Sequence, residues 1–148
     1  MLQIFISMSM FYKLSVKEIK KETNDSVSIV FNVPDQVQNE FKFIPGQYIN
    51  IQTNLNGENI RRAYSICSSL KSEELRIAVK EVKKGFFSVY ANKELKVGDV
   101  LEVSPPEGKF TLPIDESKKG NYIAFAAGSG ITPILSMIKS VCPAYFMD

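Results

Sequence analysis

Between residues 11 and 112 the chain alternates apolar and polar side chains in short runs, and turn-forming pairs separate these runs. The clearest run places Val27, Ile29, Phe31 and Val33 at every second position, which is the period of a half-buried strand. Asn56-Gly57 is a pair typical of a two-residue hairpin turn. This pattern predicts a mainly β fold, an antiparallel barrel or sandwich of six short strands.

The six predicted strands are located by their apolar residues. They contain Leu14, Val16 and Ile19 in the first, Val27 to Val33 in the second, Tyr48, Ile49 and Ile51 in the third, Ile60, Tyr64 and Ile66 in the fourth, residues 75–82 in the fifth and residues 100–103 in the sixth. A short helix is expected at about residues 87–92. Turns are expected at Asn24-Asp25, Pro45-Gly46 and Gly98-Asp99.

The pattern changes after a polar linker at residues 115–121. Residues 122–127 form an unbroken apolar run, which is typical of a strand buried on both faces of a parallel sheet. Gly128-Ser129-Gly130 follows, and then a helical pattern with Thr132 as a candidate N-cap and Pro133 at the first helical position. Strand, glycine turn and helix in this order predict the start of a nucleotide-binding α/β unit.

Composition limits the chemistry that this chain can perform. Its 148 residues are enough for one core and a fraction of a second domain. The absence of histidine excludes a Ser/His/Asp triad and any histidine-bearing metal site. The two cysteines, Cys67 and Cys142, are too few for an iron–sulfur cluster or a four-cysteine zinc site, so no metal site is expected. An enzyme of this composition would depend on an organic cofactor.

Charge and the amino terminus bear on partners and location. Eighteen basic and sixteen acidic residues give a net charge of +2, which argues against a nucleic-acid coat. Residues 1–12 are mostly apolar but lack a basic leader region and are too short to span a bilayer. We therefore expect an N-terminal extension over residues 1–10 on a soluble, cytoplasmic protein with no membrane association.

Three segments could bind a nucleotide cofactor. Arg62 could bind phosphate oxygens, and Tyr64 and Ser65 beside it offer an aromatic ring and a hydroxyl. Gly85-Phe86-Phe87-Ser88 could open a helix whose first amides bind an anion, and Gly128-Ser129-Gly130 could do the same. Taken singly, each segment also fits an ordinary surface strand or a tight turn.

Four segments in this order and spacing resemble the ferredoxin-NADP reductase family: Arg62-Ala63-Tyr64-Ser65, Gly85-Phe86-Phe87-Ser88, Pro106-Glu107-Gly108-Lys109-Phe110 and Gly128-Ser129-Gly130-Ile131-Thr132-Pro133. Within the family the chain most resembles reductase components of bacterial multicomponent oxygenases, including those of the phenylacetyl-CoA epoxidase type. The resemblance implies a Greek-key FAD-binding barrel over residues 11–114. It also implies that residues 121–148 are the truncated start of an NAD(P)-binding α/β domain.

The resemblance also implies roles for individual residues. Arg62 would contact the flavin phosphates, and Tyr64 and Ser65 would be the catalytic pair, packing on the isoalloxazine and hydrogen-bonding near its N5 atom. The remaining cofactor-binding residues would be Val79, Lys80 and Val82 at the ring edge, Gly85, Phe87 and Ser88 at the pyrophosphate, and Gly128, Gly130 and Thr132 at the nicotinamide–flavin junction. A pyrophosphate site favours FAD over FMN.

The function implied is that of an FAD-dependent oxidoreductase. It would pass electrons from NAD(P)H through FAD to a ferredoxin-type iron–sulfur domain or an oxygenase component. This chain alone is expected to be incomplete for turnover, since one strand–helix unit cannot form a nicotinamide pocket. The alternative is a non-catalytic barrel that serves as an interaction or nucleic-acid-binding module through a basic patch, but acidic residues interrupt that patch.

Overall fold

The computed structural model describes residues 10–115, 117 and 120–142, so most of the predicted N-terminal extension lies outside the described residues. The strands are β1 (Tyr12–Thr23), β2 (Ser26–Asn32), β3 (Tyr48–Leu55), β4 (Glu58–Ser65), β5 (Leu75–Lys80) and β6 (Val100–Val103). The α-helices are α1 (Phe86–Lys93) and α2 (Ile131–Val141). Short 3-10 helices lie at Asp35–Phe41, Leu70–Ser72 and Gly128–Gly130.

All six strands belong to one antiparallel sheet in the order β4-β3-β6-β1-β2-β5, which confirms the predicted mainly β fold. The sheet rolls up until its two edge strands meet at a single bridge between Ile66 and Ile77. The Cys67 amide also donates to the Arg76 carbonyl there, at 2.9 Å. We call the unpaired gap between β4 and β5 the seam. Backbone groups along a sheet edge of this kind lack a strand partner and are available to other groups.

The inward-facing residues predicted from the alternation form the core, with Leu14, Val16, Ile29, Phe31, Ile49, Ile51, Ile77 and Val103 among its buried members. Strand β1 carries a register shift between Val16 and Glu18, and this bulge brings Ile19 to the same side as Val16. At the predicted hairpin, Asn56 and Gly57 both have positive φ, 54° and 84°, as a type I′ turn requires.

Helix α2 begins differently from the prediction. The 3-10 turn Gly128–Gly130 leads directly into α2, and Gly130 occupies the cap position that was predicted for Thr132. The Thr132 hydroxyl instead donates to the Ser129 carbonyl at 2.9 Å. Pro133 lies at the third helical position, not the first. Its missing amide still costs no hydrogen bond, because the first four amides of a helix have no intrahelical acceptor.

The strand predicted at residues 122–127 is not found. This segment joins no strand in the described part of the chain, and the side chains of Ile123 and Phe125 are 84% and 91% exposed. The physical reason is that a strand needs a neighbouring edge, and the described residues offer none at this place. Among the described residues, no helix has the length and apolar character needed to cross a membrane.

Candidate cofactor site

A cleft of about 910 Å³ opens along the seam. The carboxyl end of β4, the end of β5, the start of α1 and the glycine turn before α2 form its walls. Its lining residues are Ser26, Arg62, Ala63, Tyr64, Ser65, Ala78, Lys80, Glu81, Val82, Gly85, Phe86, Phe87, Ser88, Gly128, Ser129, Ile131 and Thr132. The three sequence segments selected as candidate nucleotide sites therefore meet in one place, although they are far apart along the chain.

Strand β4 brings Arg62, Tyr64 and Ser65 to the seam. Its inner edge pairs with β3, where Ser65 lies opposite Tyr48. Tyr48 is in turn held by two backbone hydrogen bonds of 2.9 Å with Glu107. The segment 104–108 therefore packs against β3, the strand that pairs with the end of β4. Arg62 is exposed, and its guanidinium donates to the Arg61 carbonyl at 2.8 Å. The remaining guanidinium N–H groups can bind an anion in the cleft.

Tyr64 is the half-buried aromatic residue of the cleft. Its ring packs against the ring of Phe87, with centroids 5.5 Å apart and planes inclined by 45°. Burial raises the pKa of the Tyr64 phenol to about 12, and the neighbouring Arg62 only partly offsets this. The side chain therefore stays neutral at physiological pH and presents an apolar ring with a hydrogen-bonding hydroxyl.

The turn before α1 is built around Gly85. Its amide donates to the Val82 carbonyl at 2.8 Å, and the Val82 amide donates to the Ser88 hydroxyl at 3.1 Å. A Cβ atom at position 85 would lie 2.4 Å from the Ser88 hydroxyl oxygen, so a side chain here would displace that hydroxyl from its bond with Val82. The Ser88 hydroxyl accepts in this bond and keeps its own proton for another partner. The amides of Phe86, Phe87 and Ser88 lie in the first turn of α1, where helix geometry supplies no acceptor.

Two predicted residues do not line the cleft. Val79 faces the core with 0% exposure, and its carbonyl accepts from the Asn92 side chain at 3.1 Å. Gly130 belongs to the turn but is set back from the lining residues. Phe87 does reach the cleft, although its side chain is a buried core residue. Its backbone amide is therefore the group best placed for a ligand.

Lys80 also lines the cleft. Its ammonium group is 3.4 Å from the Asp25 carboxylate. A hydrogen bond from Thr23 and the nearby Lys80 lower the pKa of the Asp25 carboxyl. Glu81, next along the chain, pairs with Lys93 at 2.9 Å. Charges of both signs therefore alternate here, and a continuous basic patch does not form among these residues.

The glycine turn closes the cleft from the side of α2. Gly128 has φ +55°, a conformation that favours glycine, and nothing lies within 4 Å of the place where a Cβ atom would stand at Gly128 or Gly130. These glycines are thus not required by packing within the described chain. The space in front of them is open to a ligand.

The sequence interpretation missed several lining residues. Ser26, Ala78, Glu81, Phe86, Ser129 and Ile131 also face the cleft. Phe86, Ser129 and Ile131 lie within the selected segments 85–88 and 128–133. Their position next to predicted site residues could have identified them. Ser26 and Ala78 lie on paired strands, opposite Lys80 and Ser28, and only the sheet register reveals them.

The residues present fit FAD. A guanidinium at Arg62 and the free amides at the start of α1 suit phosphate oxygens, and a half-buried tyrosine suits a planar ring. The open space before Gly128 leaves room for a further part of the ligand. These donors lie in one cleft, and neither histidine nor metal ligands are needed for this chemistry.

Comparison with known proteins agrees with this geometry. Residues 13–112 match the family model described as the oxidoreductase FAD-binding domain. The chain is 42% identical over 133 residues to a subunit of the 1,2-phenylacetyl-CoA epoxidase of Escherichia coli strain K12, covering 90% of this chain and 37% of that protein. It is 36% identical over 130 residues to the ferredoxin reductase component of 3-ketosteroid-9-alpha-monooxygenase of Rhodococcus rhodochrous, covering 86% and 36%. The chain spans about a third of the length of these relatives.

Solved structures show the same fold. The ferredoxin-NADP+ reductase of Plasmodium falciparum with 2'P-AMP superposes with a TM-score of 0.72 at 28% identity, covering 93% of this chain and 54% of that one. The FAD/NAD-binding domain of nitric oxide dioxygenase of Vibrio cholerae gives a TM-score of 0.69 at 26% identity, covering 89% and 57%. The alternative of a non-catalytic or nucleic-acid-binding barrel finds no support in these matches. The chain belongs to the FAD-binding domain family of ferredoxin-NADP reductase-like oxidoreductases.

Proposed function

We propose that this chain is the flavin-binding part of a reductase that takes electrons from NAD(P)H and delivers them, through FAD, to a ferredoxin-type iron–sulfur domain or an oxygenase component. The observation that carries the proposal is the meeting of residues 62–65, 85–88 and 128–132 in one cleft. Two relatives support the choice of acceptor, because one belongs to an epoxidase and the other is a ferredoxin reductase component of a monooxygenase.

Bound FAD would supply acceptance of hydride from NAD(P)H and release of single electrons. Arg62 would hold phosphate oxygens, and the first-turn amides of α1 with the Ser88 hydroxyl would hold the pyrophosphate. Tyr64 would pack on the flavin and keep water from one side of it. The Ser65 hydroxyl would be the hydrogen-bond donor near N5.

The other predicted site residues have indirect roles in this proposal. Gly85 shapes the loop that carries Ser88, and Val82 anchors that loop through its amide. Val79 packs in the core behind the cleft, where its carbonyl accepts from Asn92, and Lys80 would border the ring edge. Gly128 and Thr132 would form the wall against which NAD(P)H meets the flavin, and Gly130 would help to shape the turn that carries them. We place residues 11–114 in the FAD-binding domain and residues from 121 onward in the NAD(P)-binding domain.

The proposal includes the cytoplasm as the compartment, since the two free cysteines, Cys67 and Cys142, suit a reducing environment.

The test is a titration of the purified, flavin-free chain with FAD and, in parallel, with FMN. We expect FAD to bind with a shifted visible spectrum and to remain with the protein on gel filtration. FMN lacks the second phosphate and the adenosine, so its affinity should be at least about tenfold lower. A protein that stays colourless contradicts the proposal. Equal affinity for the two flavins contradicts the pyrophosphate site in particular.

The electron path needs a separate test on the longest product of the gene. Bound flavin should be reduced by NADH or NADPH, and a plant-type ferredoxin added afterwards should reoxidise it. Persistence of reduced flavin in the presence of ferredoxin and the absence of oxygen would contradict the proposed acceptor.

A further inference from the structure

Helix α2 contacts the barrel through two buried serine hydroxyls. The Ser136 hydroxyl donates to the Ser68 carbonyl at 2.7 Å, and the Leu70 amide donates to the Ser140 hydroxyl at 3.2 Å. Ser136 is 0% exposed and Ser140 is 5% exposed. Residues four apart lie on the same face of a helix, so both bonds form on one side of α2. Ile134, a buried apolar residue of α2, is not part of the barrel core.

The segment that receives these bonds is fixed to both edges of the seam. It continues directly from Ser65, the last residue of β4. The Ser68 hydroxyl donates to the Glu74 carbonyl at 2.7 Å and accepts from the Arg76 amide at 3.3 Å, which ties it to β5. Ser68 therefore joins β5 and α2 through hydrogen bonds and is joined to β4 through the chain itself.

The face of α2 that carries Ser136 and Ser140 also carries Thr132, four residues earlier and inside the cleft. Two hydrogen bonds one helical turn apart fix both the rotation of a helix about its axis and its position along that axis. Apolar contacts alone allow more sliding, because they have little directionality. The position of Thr132 and of the glycine turn relative to β4 thus depends on the two serines.

We propose that Ser136 and Ser140 are positioning residues that hold the turn Gly128–Gly130 and Thr132 in place over the cleft. Their removal would leave the carbonyl of buried Ser68 and the amide of Leu70 without these partners, which penalises the docked position in particular. The effect on flavin rests on the proposed function, whereas the effect on the helix does not.

The test measures the distance between α2 and the barrel by pulsed electron spin resonance. One spin label is placed on the exposed Cys142, just after α2, and the other on Lys20→Cys, an exposed site on β1. Cys67 is buried and remains unlabelled. We expect a narrow distance distribution in the parent protein and a clearly broadened or shifted one in the Ser136→Ala/Ser140→Ala double variant.

The matched control is Ile138→Ala, which changes the same helix on another face. It should leave the distribution narrow. An unchanged distribution in the double variant, or equal broadening in the control, would overturn the proposal.

A second measurement covers the case in which the double variant does not fold. Amide hydrogen exchange at Leu70 should be about tenfold faster in Ser140→Ala than in the parent protein, and close to the parent rate in Ser140→Thr, which keeps an acceptor oxygen. An equal exchange rate in Ser140→Ala and the parent would overturn the role of Ser140.

Flavin provides the readout at the cleft. Circular dichroism of bound FAD in the visible range should change in the double variant, while Ile138→Ala leaves it unchanged. A broadened label distance with an unchanged flavin signal would overturn the link to the cleft. If the parent protein binds no FAD but the label distances respond as expected, the proposed function fails and the positioning of α2 stands.

Discussion

The ring of Tyr64 on β4 lies against the ring of Phe87 on α1, with centroids 5.5 Å apart. This contact crosses the barrel end, because β4 is one edge of the sheet and α1 follows the other edge, β5. Phe87 is part of the hydrophobic core, whereas Tyr64 lines the cleft. The core thus supports one wall of the candidate cofactor site directly.

The first prediction concerns alkaline stability. Burial raises the pKa of Tyr64 from its ordinary value of 10.0 to about 12, so the unfolded chain loses this proton at a lower pH than the folded chain. The stabilisation is fully present below pH 10 and is lost as the pH rises through about 12. Across this range the free energy of unfolding should fall by roughly 2 kcal/mol more in the parent protein than in Tyr64→Phe, after allowance for partial solvent screening. Chemical denaturation at several pH values measures this, and parallel curves for the two proteins would contradict it.

The second prediction compares two neighbouring arginines. Arg62→Ala should weaken FAD binding about 10- to 100-fold, the loss expected for a charge-assisted phosphate contact. Arg61→Ala removes the same charge from the same strand, but the Arg61 guanidinium lies over the Phe11 ring, 5.0 Å from its centroid. Its effect on FAD affinity should be less than about threefold. Fluorescence titration measures both, and equal losses would argue against a specific phosphate contact.

The third prediction concerns Gly46, which has φ +103°. A Cβ atom there would lie 2.1 Å from the Phe110 carbonyl oxygen and 2.5 Å from the end of Met137 on α2. Gly46→Ala should therefore lower the free energy of unfolding by about 3 kcal/mol or more, from backbone strain and overpacking together. Gly98→Ala is the matched control, because Gly98 has φ +94° with nothing within 4 Å. It should cost about 1 kcal/mol, the strain alone. Similar losses in both variants would show that the close contacts do not matter.

The fourth prediction concerns the two thiols. Burial raises the pKa of the Cys67 thiol to about 11, and its side chain is enclosed, whereas Cys142 is exposed. At about pH 8 an aromatic disulfide reagent should modify one thiol per native chain within minutes and both thiols in denaturant. A Cys142→Ser variant should show almost no fast reaction. Rapid modification of two thiols in the native parent protein would contradict the burial of Cys67.

The fifth prediction concerns the apolar segment after the linker. The side chains of Ile123 and Phe125 are almost fully exposed and lie near those of Tyr122 and Ile138. Exposed apolar groups that lie together favour association, so Ile123→Ser/Phe125→Ser should reduce light scattering of the 148-residue chain at high concentration. Val97→Ser changes an exposed apolar residue in a turn and should have little effect. Unchanged scattering in the double variant would contradict this role of the segment.

The strands could be predicted from the sequence because their signals are local, whereas most residues that line the candidate cleft were indicated by the order and spacing of the four segments that resemble the reductase family. Alternating apolar residues located β2, and Asn56-Gly57 located the hairpin between β3 and β4. The prediction of a strand at residues 122–127 was wrong, because an apolar segment indicates burial but does not supply the neighbouring strand. The prediction of Thr132 as the N-cap of α2 was also wrong, since a short 3-10 turn can shift the start of a helix without changing the helical pattern.

The connections between distant residues could not be predicted. Arg76 bonds Glu74, Ser28 and Glu18 on the outer face of the sheet, and this network follows from strand register alone. Ser68 and Ser136 lie 68 positions apart in the sequence. Serine also occurs readily in solvent-exposed loops, so its presence does not indicate a buried hydrogen bond. Nothing in the local sequence distinguishes these hydroxyls from solvated ones.

A barrel that leaves one seam unpaired has a consequence for its own folding. If FAD fills the seam as proposed, the ligand supplies contacts that a seventh strand would otherwise supply, and each tenfold excess of free FAD over its dissociation constant adds about 1.4 kcal/mol to the free energy of unfolding. The amount of native protein in a cell would then follow the supply of flavin. Riboflavin limitation would deplete such a reductase by degradation of the empty chain as well as by loss of its activity.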